Sequence, residues 1–270
     1  MKRVAQLRNW VLLGLAVGAL VLSLGAAWYT GDWGRLVLNL GTKLAGAAVA
    51  YYLFERVIEH LEKLEAAREA KNKAALIPEK AGLIAELASN VKVVAIAAAE
   101  KLARHGWLYD GSLEGADLSG ANLQGAKLEE ARLQRAELWN ADLREAKLNG
   151  ADLREAKLNG ADLQGADLFR ADLEGAALFL ANLQRAYLRR ANLQGTNLEG
   201  ANLVGANLVG ANLLEANLQR VVLYDATVSK DTILPDGTKW TKGTDMTRFT
   251  DPRHTDFRTY AGAYGDEEER

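Results

Sequence analysis

Residues 111–130 read GSLEG ADLSG ANLQG AKLEE, four blocks of five with leucine third in each: Leu113, Leu118, Leu123 and Leu128. The spacing continues without a gap to Leu223, and Val228 keeps it once more. Two residues before these 23 leucines stands alanine in 20 cases, the exceptions being Gly111, Thr196 and Val221, and glycine often closes the block, as at Gly115, Gly120, Gly125 and Gly210. A helix cannot use a five-residue period, because five residues advance about 500° and successive leucines would wander around the axis by about 140°. A flat strand cannot use it either, because an odd spacing sends alternate leucines to opposite faces. The period closes a core only if the chain turns a corner after every block, keeping each leucine and its preceding alanine inward and three side chains outward. Four such sides make a square coil, small residues fit its tight interior, and glycine or asparagine tolerates the corner angles.

With 24 blocks, four to a coil, the stretch forms about six coils, a solenoid about 30 Å tall at the spacing of hydrogen-bonded strands. The blocks ADLEG (171–175), ANLQG (121–125 and 191–195) and ANLVG (201–205 and 206–210) resemble the A(D/N)LxG pattern of the pentapeptide-repeat family. The resemblance covers most of residues 111–228. It implies a mainly β fold, a right-handed quadrilateral β-helix, and the handedness comes from the resemblance alone.

The rest of the chain divides around this rod. Residues 1–54 are expected to be a transmembrane helical hairpin: Lys2, Arg3 and Arg8 precede 20 uncharged residues, 10–29, long enough to span a bilayer, with Trp10, Trp28, Tyr29 and Trp33 as interface anchors. A second apolar run, 36–54, is interrupted by Lys43, which would snorkel or face its partner helix. The first run also fits a cleaved signal segment ending near Ala27. By the positive-inside tendency two spans return the chain to the cytoplasm, so the rod is expected on the cytoplasmic side of a bacterial inner membrane.

Residues 55–109 are expected to be helical. Phe54, Val57, Leu61 and Leu64 continue the second run into water as a solvated helix or a short coiled coil that makes a homo-oligomer. Pro78 is expected to start a new helix whose apolar face, Leu83, Leu87, Val91, Val94, Ala98 and Leu102, covers the lower end of the rod until Gly106 ends it. The rod occupies 110–228. Residues 229–270 carry a cap, with Ile233, Leu234, Trp240, Met246 and Phe249 over the upper coil, and an acidic end; similar tails with a PDGT-Trp element close other family members.

Chemistry is sparse. The chain of 270 residues has no cysteine, three histidines and a net charge of −2, which leaves little for a metal site, excludes thiol chemistry and argues against a surface built for nucleic acid. A core filled by leucine and alanine has no room for a substrate pocket. No catalytic residue, cofactor or metal is therefore assigned, and the chain is read as a non-enzymatic membrane-anchored scaffold that binds a protein partner.

Two outward clusters are candidate partner sites. Trp139, Phe179 and Leu180 form an apolar strip with Asn159 between the rings, and Arg170, Arg185, Arg189 and Arg190 gather beside Phe169 and Tyr187. A second reading, prompted by the resemblance, is a DNA-mimicking inhibitor or protector of a type II topoisomerase. Against it, the 16 acidic and 12 basic residues between 112 and 228 are dispersed. A third is anionic-lipid binding through the arginines.

Overall fold

A computed structural model describes residues 33–254, together with residue 14. The chain forms two compact units, residues 1–76 and 77–270. Helix α1 (Trp33–Leu87) runs through the boundary; α2 (Lys92–Arg104) and the short α3 (Thr247–Thr250) belong to the second unit. Among the described residues no helix is long and apolar enough to cross a membrane. The first expected span, 10–29, lies outside the described residues, apart from Gly14. The second, 36–54, is the start of α1, where Asn39, Thr42 and Lys43 dilute the apolar run and the helix continues into charged sequence without a break. Among the described residues the expected two-span hairpin is thus not found.

Pro78 does not start a helix either; it lies inside α1. Proline removes one N–H and crowds the preceding turn, and a helix of this length carries that single loss. The break falls later: α1 stops at Leu87, and Ser89 Oγ accepts the N–H of Val91 (3.1 Å) ahead of α2. Val91 and Val94, expected on the buried face, are consequently exposed, while Leu83, Leu87, Ala95, Ala98, Ala99 and Leu102 are buried.

Residues 112–228 form the coil. Side 1 carries Leu113 and every twentieth residue after it; sides 2, 3 and 4 begin with Leu118, Leu123 and Leu128. The β structure consists of isolated bridges rather than long strands, one per block, each parallel and joining residues 20 apart, from Asp117↔Glu137 to Asn207↔Thr227. In most blocks the leucine N–H donates to the coil above, as Leu118 to the Glu137 carbonyl (2.7 Å), and from Glu137 onward the bridge residues donate to the coil below, as Glu137 to Ala116 (2.9 Å). Every third-position leucine from Leu113 to Leu218 is at most 2% exposed, so the inward assignment holds throughout these coils. Thr196, in place of an inward alanine, satisfies its buried hydroxyl on the Leu173 carbonyl at 3.2 Å.

Each corner is a β-turn: the N–H of the next block's first residue returns to the leucine carbonyl, as Ala121 to Leu118 at 3.1 Å. The block's last residue, at the third turn position, has φ between about 53° and 70°, the type II requirement, whether it is glycine (Gly120, 67°) or not (Arg190, 59°). The aspartate or asparagine before each leucine is not simply outward. Its Oδ1 accepts the N–H two residues on, as Asp117 from Ser119 (3.0 Å) and Asn207 from Val209 (3.1 Å), and so pre-forms the turn.

Both ends are closed. Ser89 and Leu108 offer carbonyls to the N–H groups of Asn122 (2.9 Å) and Arg132 (2.8 Å), pairing part of the rod's lower edge. At the top the bridge register slips by one, Asn212↔Ile233, and a hairpin pairs Ile233 with Lys239. Leu234 and Phe249 are buried there, Trp240 and Met246 pack against the hydrophobic core, and the buried Thr232 hydroxyl donates to the Leu208 carbonyl at 2.9 Å.

Candidate functional site

Because residues 20 apart stack, the outer surface is a set of columns. The ladder Asp172–Asn192–Asn212 is hydrogen-bonded through successive amides, Asn192 Nδ2 to Asp172 at 2.9 Å and Asn212 Nδ2 to Asn192 at 3.1 Å. The stacked carboxylates Asp142 and Asp162 are spanned by Arg144, whose guanidinium lies 2.5 Å from the first and 3.7 Å from the second. Arg154 does the same for Asp152 (2.6 Å) and Asp172 (3.7 Å) on the opposite side. This symmetry follows from ADLREAKLNG occurring at both 141–150 and 151–160, half a coil apart. The hydrogen bond from Arg144 holds the Asp142 carboxyl below its ordinary range. At Asp152 burial pushes upward, and the bonds from Arg154 outweigh it.

Trp139, Phe179 and Leu180 occupy side 2 and its corner. They are 42%, 40% and 59% exposed. Asn159 separates the two rings, its Oδ1 accepting the Phe179 N–H at 3.0 Å, so the strip is two apolar spots one coil apart from a polar one. Leu180 sits at a left-handed corner (φ 56°) and leans over Gly200: a Cβ there would lie 2.7 Å from Leu180 Cδ2.

The arginines occupy side 4 and its edges. Arg189 lies on the side above Phe169, Arg170 and Arg190 stack at the corner toward side 1, and Arg185 stands at the corner from side 3. Arg170 lies 5.1 Å over the Phe169 ring. Asp167, Phe169, Tyr187, Arg189 and Asn207 line one shallow groove, with Tyr187 56% exposed. Asp167 and Asn207 were not singled out from the sequence, although the 20-residue stack places them directly below and above Tyr187.

The two clusters lie on different sides and do not form one site. Among the described residues no group of three or more histidine, aspartate or glutamate side chains is disposed to hold a metal ion.

The pentapeptide-repeat description matches in eight copies over residues 112–150, 146–185 and 181–220, the same stretch that forms the coil. This chain belongs to the pentapeptide-repeat family. Among solved pentapeptide-repeat proteins, the chain is 31% identical to HetL of the cyanobacterium Nostoc sp. strain PCC 7120, a protein involved in heterocyst differentiation regulation, over 47% of this chain and 86% of that one (TM-score 0.17). It is 36% identical to a pentapeptide repeat protein of the Arabidopsis thaliana thylakoid lumen, over 43% and 73% (TM-score 0.18). It is 23% identical to QnrB1, a plasmid-mediated fluoroquinolone resistance protein, over 47% and 76% (TM-score 0.32). No curated protein matches the chain. As in the family pattern, the first position supplies inward alanine, the second the turn-forming Asp or Asn, the third inward leucine and the fifth the left-handed corner.

Proposed function

We propose that this pentapeptide-repeat protein is a non-enzymatic scaffold whose rigid coil presents a binding surface to a protein partner. The observation that carries the reading is the filled core: leucine and alanine occupy the interior at every level, and chemistry is left to the outer columns. The uncharged run 10–29 is the membrane tether in this proposal. The rod lies in the cytoplasm if run 36–54 also enters the bilayer, and on the far side if only the first does. The chain contains no cysteine, so Gln164→Cys introduces one thiol on the rod, and labelling of intact cells by a membrane-impermeant maleimide reads the side directly.

The scaffold reading is tested by crosslinked pull-down from membranes with the full chain. Recovery of a stoichiometric partner supports it, and the absence of any partner across crosslinker lengths refutes it. The alternative, topoisomerase inhibition by DNA mimicry, needs uncompensated rows of carboxylates. Arg144 and Arg154 instead span the aspartate columns on sides 3 and 1. Potent inhibition of a type II topoisomerase by the full chain would overturn the preference.

A further inference from the structure

We propose that the groove on side 4 binds an acidic peptide segment of the partner in extended conformation; this rests on the scaffold reading and assigns its surface. Charge is the first argument. Counting each corner with the side before it, sides 1, 2 and 3 carry net charges of −3, −1 and −2, and side 4 alone is positive, at +2. Pairing is the second. Arg135, Arg144, Arg154 and Arg220 lie within 4 Å of carboxylates, whereas among the described residues Arg170, Arg189 and Arg190 form no salt bridge at all. A guanidinium without a carboxylate is free to take one from a ligand, in bidentate geometry.

The rings are the third argument. Tyr187 is exposed beside Arg189, and the Arg170 guanidinium lies over the Phe169 ring, so apolar contact and charge are offered together. Spacing selects an extended peptide. Arg170 and Arg190 stand one coil apart, about 4.8 Å, and their flexible stems reach carboxylates about 6.8 Å apart, the separation of alternate residues on one face of a strand. The patch is also short. Glu129 and Glu130 lie on the same side three coils below Arg189 and Arg190, and Asp167 lines the groove itself. A bilayer or a DNA duplex would bring its phosphates against those carboxylates as well, whereas a peptide segment need not.

The test uses the full chain in detergent micelles and a fluorescein-labelled decapeptide of alternating glutamate and serine, read by fluorescence anisotropy. The test variant combines Arg170→Gly, Arg189→Gln and Arg190→Gly. Glycine suits the left-handed corners, where φ is 56° and 59°, so this variant removes charge without straining the coil, and a melting temperature at or above that of the parent verifies its fold. Binding that weakens with added salt, and at least tenfold in the variant while Arg144→Gln on side 3 leaves it unchanged, supports the site. Equal binding by the variant overturns it, as does tighter, arginine-dependent binding of vesicles containing 30% phosphatidylglycerol or of a 20-base-pair duplex. In the crosslinked pull-down, a partner still held by the variant refutes this site and leaves the scaffold reading standing; no partner for either protein refutes the scaffold.

Discussion

A single block of five contains most of the physics of this fold. Leucine fills the interior, alanine before it admits the chain's close return, and the side chain between them folds back onto the turn. The first two were legible from period and residue size alone. The third was not, because aspartate or asparagine at an outward position reads equally as solvation, and only the Oδ1 to N–H geometry, repeated from Asp117 to Asn217, distinguishes the two. The fifth position gives a direct test of corner strain. At Gly195 (φ 64°) a new Cβ meets nothing within 4 Å, so Gly195→Ala should cost only the left-handed penalty of about 1 kcal/mol. At Gly200 (φ 68°) the same change also pushes Leu180 aside, and its cost, read from urea melts of both variants, should be the larger. The Arg144–Asp142 pair predicts a pH effect. The Asp142 carboxyl is depressed in the folded state, so its contribution is present above the unfolded value of about 3.9 and is lost as pH falls through the lower folded value. Acid titration of stability should therefore show a smaller loss below pH 4 for Arg144→Gln than for the parent.

Between residue and rod, the helical elements show where sequence reading fails. Apolar positions 83, 87, 98 and 102 were legible as one face, and all four are buried. The break between α1 and α2 was not, because the periodicity of Val91 and Val94 runs on across a turn that Ser89 and Asn90 impose. Pro78 misled in the opposite direction: it reads as a boundary, but a long helix can carry one missing N–H. The candidate sites divide similarly. The arginines and rings were visible as neighbours in sequence, and their lack of carboxylate partners became visible only once the columns were assembled. Leu102, fully buried on α2 against the base of the coil, tests the closure of that end. Leu102→Ala should destabilise by about 2–5 kcal/mol, the usual range for a leucine that leaves a cavity. Amide exchange in the lowest coil, at Leu118 and Leu123, should rise more than at Leu203 if the helix supports its nearest coil first.

Across the whole molecule, the four-sided coil makes a quantised prediction about length. The copies at 141–150 and 151–160 place Arg144 and Arg154 in matching geometry on opposite sides, 2.5 and 2.6 Å from one aspartate and each 3.7 Å from the next. Two blocks can therefore enter the rod without disturbing the local structure of either. Removing 151–160 should reverse this: every residue above the excision moves by two sides, the rod shortens by half a coil, about 2.4 Å, and each leucine still points inward. Phe169 would then stack above Trp139, while Arg170, Tyr187, Arg189 and Arg190 travel together and keep one another as neighbours. Removing seven residues, 151–157, shortens the chain less yet leaves a three-residue remnant that turns no full corner, so the coils above and below meet out of register. Because a solenoid's stability is a sum of repeat and nearest-neighbour interface contributions, the ten-residue deletion should melt in one transition with the parent's circular dichroism spectrum and retain acidic-peptide binding. The seven-residue deletion should lose the interface at the junction and melt in separate steps or fail to fold. The opposite ranking would mean that chain length, rather than the five-residue register, sets the stability of the rod.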